Sequence, residues 1–227
     1  VVIINERTDT PEDLKKEEER FKNRPRFLPK KDADPAFTAP PLYTYVLSNA
    51  EGLATVYSTG TGFIIKEDGL VATSAHIVRN SKTLTIETAS GELFPADILG
   101  VDTSPYKDIA LLKIRSAKTF PTLKINAKDQ LFVGKRLVVI GHPLLYKHTM
   151  SEATVSKLRL YGGQLSLIQI YSSILPGNSG SPLLNEKGEA VGIIYGTLVN
   201  SETQGLAVPA ETMQSVIDRL LEKNQNR

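Results

Sequence analysis

One serine of the sequence stands in a setting that suits a catalytic nucleophile. Ser179 lies in the segment Gly177-Asn178-Ser179-Gly180-Ser181, whose small residues allow a tight loop. A serine hydroxyl is a weak nucleophile at neutral pH, so it needs a neighbouring base, a carboxylate that orients the base, and donors for the developing oxyanion. In such a loop the backbone N–H groups of Gly177 and Ser179 can converge on one point. The segment therefore predicts a nucleophile and its oxyanion hole.

Two other segments offer the base and the carboxylate. His76 follows the apolar stretch 70–74, where its ring can face a cleft as a general base. Asp108 directly precedes the apolar stretch 109–114, where a buried carboxylate could fix the imidazole tautomer. The chain order histidine, aspartate, serine differs from the subtilisin order and from the serine-first order of α/β-hydrolases. We predict that His76, Asp108 and Ser179 form a catalytic triad.

Each of these residues also has a structural interpretation. A single Gly-x-Ser-Gly loop is usually a turn, Asp108 could be a solvated residue at a strand end, and His76 could be a structural histidine in a half-buried turn. His142 and His148 are interpreted as a turn residue and a loop residue. The triad hypothesis therefore depends on the three residues occurring together and in this order.

Short strands must position these residues. From residue 42 onward, stretches rich in Val, Ile, Leu, Thr and Tyr alternate with polar turns, and no long helices lie between them. This pattern is typical of an all-β sandwich or of β-barrels. The predicted strands cover residues 43–47, 54–58, 62–65, 70–74, 83–87, 93–100, 109–114, 136–140, 151–160, 165–171, 182–184, 190–195 and 205–208.

The two ends of the chain differ from this pattern. After Pro209, apolar residues at helical spacing predict an amphipathic helix over residues 210–223 that packs on the body. Residues 1–41 contain six of the 13 prolines and none of the 16 glycines, and we predict a charged N-terminal arm with a short helix over residues 11–23. Its basic residues 22–31 could contact an acidic partner or a membrane surface, or they could form a solvated segment.

Composition excludes several classes of function. A hydrophobic fraction of 41%, a charged fraction of 23% and a net charge of +2 are those of an ordinary globular protein, so we expect no nucleic-acid partner. No apolar run is long enough for a transmembrane segment. The chain has no cysteine and only three scattered histidines, so we expect no metal site and no cofactor. The compartment stays open: periplasmic, secreted or organellar if a signal was removed, otherwise cytoplasmic.

Five sets of residues over positions 55–222 resemble motifs of the HtrA/Deg serine proteases, a group of trypsin-like peptidases with the chymotrypsin fold. The matching segments are 60–65 with 73–78, 108–114, 133–143, 177–183 and 206–209. The resemblance implies two six-stranded antiparallel β-barrels, roughly residues 42–125 and 126–208, with the triad in the cleft between them and the closing helix after them. Residues 42–227 would then form one protease domain, and no PDZ domain follows the helix in this chain.

Departures from the family motif bear on specificity. Ser181 replaces a glycine, which makes the loop similar to that of glutamyl endopeptidases as well, but Ile194 stands where those enzymes have a glutamate-binding histidine. Ser173 stands where trypsin-like specificity requires an acid. We therefore expect a shallow apolar pocket that prefers Val, Ala, Ile or Leu at P1. The candidate substrate-binding residues are Ile174, Tyr195 and Thr197.

The resemblance implies a serine endopeptidase that cleaves protein or peptide substrates through an acyl-enzyme, with a role in protein quality control. One alternative is a catalytically silent binding or chaperone module with the protease fold. Another is a zymogen-like form in which residues 1–41 cover the cleft. Family members commonly form homotrimers through N-terminal aromatic residues, and Phe37, Tyr43 and Tyr45 are candidates for that contact or for core packing.

Overall fold

A computed structural model of the chain describes residues 2–8, 45–48, 54–79, 81, 83–142, 149–198, 201 and 203–225. The described residues form thirteen strands and two helices. The strands are β1 (Val2–Thr8), β2 (Tyr45–Ser48), β3 (Ala54–Lys66), β4 (Leu70–Ser74), β5 (Thr83–Glu87), β6 (Leu93–Asp102), β7 (Ile109–Ile114), β8 (Arg136–Gly141), β9 (Thr149–Tyr161), β10 (Gln164–Tyr171), β11 (Pro182–Leu184), β12 (Ala190–Thr197) and β13 (Gln204–Pro209). The helices are α1 (Ala75–Val78) and α2 (Ala210–Gln225).

The strands form two antiparallel sheets that follow each other along the chain. The first has the order β1-β5-β6-β7-β4-β3-β2, and it curls back on itself because β1 also pairs with β3. The second is a closed barrel with the order β10-β13-β12-β11-β8-β9. The predicted all-β class with a C-terminal helix is confirmed: the second sheet is a closed six-stranded barrel, and the first, which we call the first barrel, is a curled sheet of seven strands rather than six.

The first strand corrects the predicted extent of the N-terminal arm. Residues 2–8 pair with β3 on one side and with β5 on the other, so they belong to the first barrel. Val2 and Ile4 are buried, and alternate apolar residues of this kind suit a strand that faces a core. The charged residues that follow hid this signal in the average composition of residues 1–41.

Several predictions from the sequence lie outside the described residues. These are the short helix over residues 11–23, the basic residues 22–31, His148, and the aromatic residues Phe37 and Tyr43. Of Tyr45, the backbone is described, in β2. The homotrimer and its aromatic contact therefore stay predictions.

A second difference concerns β3, which the sequence predicts as two strands separated near Gly60. The structure instead has one continuous strand over residues 54–66. A Cβ atom at Gly60 would collide with the side chain of Ile77, and one at Gly62 would lie 3.0 Å from the carbonyl oxygen of Ala72. The glycines therefore allow close packing inside the barrel rather than a break in the strand.

Three hydrophobic cores hold the molecule together. One fills the first barrel and another fills the second. The third lies between them and includes Phe63 and Leu111 from the first barrel, Ile193 and Leu206 from the second, and Met213 from α2. Strand β7 is buried along both faces, because its successive residues point alternately into the core of the first barrel and into the core between the barrels. The two barrels are therefore packed against each other over an apolar surface.

The C-terminal helix agrees with its prediction from the sequence. Its buried residues are Ala210, Met213, Val216, Ile217 and Leu220, which lie on one face. In the C-terminal half of the helix, Arg219 forms an ion pair with Asp102 of β6, and Asn224 Nδ2 donates to the carbonyl oxygen of Leu99 at 3.0 Å. The helix therefore joins the first barrel to the second.

A polar network fixes the β11–β12 turn to the segment before β8. The carboxylate of Glu189 accepts hydrogen bonds from Lys124 Nζ at 2.7 Å and from Asn126 Nδ2 at 2.6 Å. Asn185 Nδ2 donates to Glu189 at 3.1 Å and to Asp129 at 2.7 Å. The hydrogen bonds from Lys124, Asn185 and Asn126 lower the pKa of Glu189 to about 2.

This network makes the stability difference between Glu189→Gln and the unmodified chain depend on pH. The folded-state pKa lies below the usual value of 4.5, so the carboxylate stabilises the fold at pH above 4.5 and loses this contribution as the pH falls toward 2. In urea unfolding, we expect Glu189→Gln to be less stable than the unmodified chain at pH 7, with a smaller difference at pH 3. Glu186→Gln, at an exposed position of the same turn, is the control and should stay within about 0.5 kcal/mol. A Glu189→Gln difference that is equal at both pH values would contradict this account.

Candidate active site

His76 and Asp108 form a closely fixed pair. Strand β4 ends at Ser74, and His76 is the second residue of the single-turn helix α1 that follows. The backbone N–H of His76 donates to Asp108 Oδ1 at 2.9 Å, and His76 Nδ1 lies 2.5 Å from Asp108 Oδ2. The carboxylate therefore contacts both the backbone and the ring of the histidine. With the proton on Nδ1, Nε2 is the nitrogen that can accept a proton from a nucleophile.

The segment before β7 carries an unusual backbone conformation. Tyr106 and Asp108 have φ values of 64° and 42°, and they are the two non-glycine residues with positive φ in the described part of the chain. Such conformations cost about 1–3 kcal/mol each and persist where the surroundings enforce them. Tyr106 stacks on Tyr161 of the second barrel with ring centroids 4.3 Å apart, and Asp108 is held by its hydrogen bonds to His76. The strained backbone therefore lies at the predicted orienting carboxylate.

The loop that contains Ser179 consists of two consecutive turns. The N–H of Asn178 donates to the carbonyl of Leu175 at 3.0 Å, and the N–H of Ser181 donates to the carbonyl of Asn178 at 2.9 Å. Each turn has a glycine with positive φ in its third position, Gly177 at 98° and Gly180 at 80°, as in type II turns. Ser179 occupies the second position of the second turn and is partly exposed.

Hydrogen bonds fasten this loop to the segment that carries the histidine. The carbonyl oxygen of Ile194 accepts from the N–H of Gly180 at 2.9 Å and from Ser74 Oγ at 3.1 Å. The N–H of Thr61 in β3 donates to the carbonyl oxygen of Ser179 at 2.9 Å. Gly180, which follows Ser179, and Ser74, which lies two positions before His76, therefore donate hydrogen bonds to the same carbonyl group.

Two backbone N–H groups of this loop, those of Gly177 and Ser179, are the predicted oxyanion-hole donors. Within the described residues, the N–H groups of Gly177 and Ser179 have no hydrogen-bond acceptor, whereas those of Asn178 and Gly180 do. Over the same residues, no hydrogen bond joins Ser179 Oγ to the ring of His76. The convergence of the two N–H groups and the contact between nucleophile and base therefore stay predictions.

Comparison with known proteins identifies the family. Residues 60–193 match the model of a family described as a trypsin-like peptidase domain. This chain belongs to the trypsin-like peptidase family. The family membership supports serine endopeptidase activity.

The curated relatives of this chain include HtrA serine proteases, which confirms the resemblance seen in the sequence. The chain is 36% identical over 164 residues to serine protease HTRA1 of Xenopus laevis, in an alignment that covers 69% of this chain and 35% of HTRA1. It is 30% identical over 174 residues to mitochondrial serine protease HTRA2 of Bos taurus, with coverages of 74% and 37%. The alignments span little more than a third of the length of these relatives.

A solved structure gives the same result. The serine endoprotease from Yersinia pestis aligns with this trypsin-like peptidase with a TM-score of 0.66 and 26% sequence identity, over 79% of this chain and 61% of that structure. The likeness extends over both barrels of the peptidase fold rather than over a single motif.

The predicted substrate-binding residues of this peptidase are mostly buried. Ile174 is 5% exposed and packs in the core of the second barrel, and Thr197 pairs with Gly205 at the end of β12. Tyr195 is 6% exposed, and its ring meets that of His76 edge-on at a centroid distance of 6.4 Å. Burial, followed by the charge of Asp108, raises the pKa of the Tyr195 hydroxyl. The structure thus places Tyr195 beside His76, and the substrate-binding roles of all three residues stay predictions.

In the part of the chain that the structure describes, no group of three or more His, Asp or Glu side chains could hold a metal ion. Over the same residues, no helix has the length and apolarity to cross a membrane.

Sequence reasoning missed the buried polar residues that support the site. Thr61, Thr73 and Ser74 are at most 1% exposed, although they lie in apolar strands, and their hydroxyl groups all make hydrogen bonds near the Ser179 loop. A hydroxyl residue inside a strand that is otherwise apolar is the signal that could have identified them, because buried polar groups require partners.

The glycine that follows Ser179 provides a test of this packing. A Cβ atom at Gly180 would collide with the carbonyl oxygen of Thr61, and the φ of 80° would also be strained. We expect Gly180→Ala to lower the free energy of unfolding by about 2–5 kcal/mol, from the strain and the overpacking together, and to abolish peptidase activity.

Gly188→Ala is the matched control for Gly180→Ala. Gly188 has a similar φ of 73°, but no atom lies within 4 Å of the position that an added methyl group would occupy, so strain alone should cost about 1–2 kcal/mol and activity should persist. Urea unfolding and peptide cleavage measure both effects. Equal losses of stability and activity in the two variants would show that the loop does not need close contact with Thr61.

Proposed function

We propose that this chain is a serine endopeptidase that hydrolyses protein substrates through an acyl-enzyme on Ser179. The observation that carries the proposal is the Asp108 carboxylate, which contacts the backbone N–H of His76 at 2.9 Å and the ring Nδ1 at 2.5 Å. A carboxylate in this position holds the imidazole in one orientation and stabilises the imidazolium that forms during catalysis.

The reaction follows from the roles of these groups. Ser179 Oγ attacks the carbonyl carbon of the scissile bond while its proton passes to His76 Nε2, and the carbonyl oxygen becomes an oxyanion. The N–H groups of Gly177 and Ser179 donate to that oxyanion. The C–N bond then breaks, and the leaving amine takes the proton from His76. Water attacks the acyl-enzyme with His76 as base, which releases the acid and restores Ser179.

Cleavage of an unfolded protein such as casein tests this function. Because Ser179→Ala removes the nucleophile, we expect it to lower the rate about 10⁶-fold, and because Asp108→Asn leaves the base in the wrong tautomer, we expect it to lower the rate about 10⁴-fold. Ser166→Ala, at a serine of β10 whose hydroxyl bonds to the carbonyl of Gln164, is the control and should cleave at the unmodified rate. Cleavage by Ser179→Ala at the unmodified rate would refute the proposal.

The same assay separates the endopeptidase from its two alternatives. Residues 1–41 cannot be removed as a block, because β1 belongs to the first barrel. Thr8 and Tyr45 pair with the adjacent residues Val56 and Tyr57 of β3, so a flexible linker of about eight Gly and Ser residues can replace residues 9–41. Activity that appears only after this replacement would indicate a zymogen-like form. Inactivity of both forms would favour the binding or chaperone module.

Specificity is a separate part of the proposal. Ser173 supplies no charge for a basic side chain, and Ile174 and Ile194 are apolar and buried. We therefore expect kcat/KM for peptides with Val, Ala, Ile or Leu at P1 to exceed that for Arg, Lys or Glu at least about 10-fold, because a charged side chain would be desolvated without a partner. Fluorogenic peptides that differ only at P1 measure the ratio. Cleavage confined to Arg and Lys peptides would contradict the apolar pocket.

A further inference from the structure

We propose that Thr61 is a positioning residue of the active site, which holds the loop around Ser179 in the conformation that aims its backbone N–H groups at the oxyanion. The inference deepens the function proposed above and depends on it. Thr61 lies in β3 of the first barrel, 118 positions before Ser179, and it is completely buried.

Thr61 contacts the loop on both sides of Asn178. Its Oγ1 donates to the carbonyl oxygen of Gly177 at 2.7 Å, and its backbone N–H donates to the carbonyl oxygen of Ser179 at 2.9 Å. Because a peptide unit is planar, fixing a carbonyl also fixes the direction of the N–H in the same unit. The two units that Thr61 holds are Gly177–Asn178 and Ser179–Gly180.

The opposite ends of these two peptide units are also fixed. The N–H of Asn178 donates to the carbonyl of Leu175, and the N–H of Gly180 donates to the carbonyl of Ile194. The unit between them carries the N–H of Ser179, one of the two predicted oxyanion donors. Since both neighbouring units are held at both ends, the direction of that N–H is determined by the hydrogen bonds around it.

The Thr61 hydroxyl has one available orientation. Its oxygen accepts from the backbone N–H of His142 at 3.1 Å, so its hydrogen is directed to Gly177. The carbonyl oxygen of Thr61 accepts from Thr73 Oγ1 at 2.7 Å. Every polar group of Thr61 therefore has a partner, and its side chain is fixed by two hydrogen bonds to the second half of the molecule.

Removal of the hydroxyl would leave the carbonyl oxygen of Gly177 without the hydrogen bond from Thr61. A polar group that loses its hydrogen bond inside the protein lowers the stability of the conformation that holds it there. The loop can relieve that cost by leaving its two-turn conformation, which would misdirect the oxyanion donors. Loss of one such donor lowers kcat about 10²–10³-fold, so a partial loss of alignment should lower it less. Because Thr61 is buried and does not contact the substrate, KM should change little.

The test compares three variants with the unmodified chain. Thr61→Val removes the hydroxyl with little change of shape, and Thr61→Ser retains it. Thr88→Val removes a hydroxyl that makes hydrogen bonds with Ser90 and Glu92 in the turn between β5 and β6, so it controls for the loss of a largely buried hydrogen bond. The measurements are kcat and KM on a fluorogenic peptide, and hydrogen–deuterium exchange of the segment 172–183.

We expect Thr61→Val to lower kcat about 10–100-fold with KM within about 2-fold, and to accelerate exchange in the segment 172–183. Thr61→Ser should restore kcat to within about 3-fold of the unmodified chain, and Thr88→Val should change neither kcat nor exchange. Normal kcat and normal exchange in Thr61→Val would overturn the inference while the endopeptidase function stands. An inactive unmodified chain would instead refute the proposed function, and unchanged exchange in Thr61→Val would then refute the positioning role as well.

Discussion

The carbonyl group of Ile194 is the point on which the geometry of the site depends. It accepts a hydrogen bond from the N–H of Gly180, directly after Ser179, and another from the hydroxyl of Ser74, at the end of the strand that leads to His76. The loop that contains Ser179 belongs to the second barrel and His76 belongs to the first, so the separation of these two residues is set by contacts across the interface. A shared acceptor at the centre of that interface makes the two positions dependent on each other.

Two further features stabilise this arrangement. The apolar core between the barrels buries residues from both sheets and from α2, so the barrels have a packed interface on which the polar contacts can form. The stacking of Tyr106 on Tyr161 connects the strained segment that carries Asp108 to the second barrel. The cost of that strained backbone is therefore offset by contacts that exist only when the barrels are assembled.

Much of this structure could be predicted from the sequence, and the exceptions have physical reasons. The strands, the closing helix and the pairing of His76 with Asp108 follow from local patterns and from a recognisable family motif. Strand β1 was missed because its few apolar residues precede a long charged segment. The unbroken β3 was missed because glycine usually interrupts a strand, whereas Gly60 here makes room for Ile77. Thr61 was missed because its role depends on contacts with residues more than a hundred positions away, which no local pattern contains.

Site-specific labelling would show whether Ser179 is an activated nucleophile. The unmodified chain would be treated with a fluorophosphonate probe at neutral pH, and the adduct would be located by tandem mass spectrometry. We expect one adduct, on Ser179, and none in Ser179→Ala. An adduct on a different residue, or no adduct on the chain, would show that Ser179 is not an activated nucleophile.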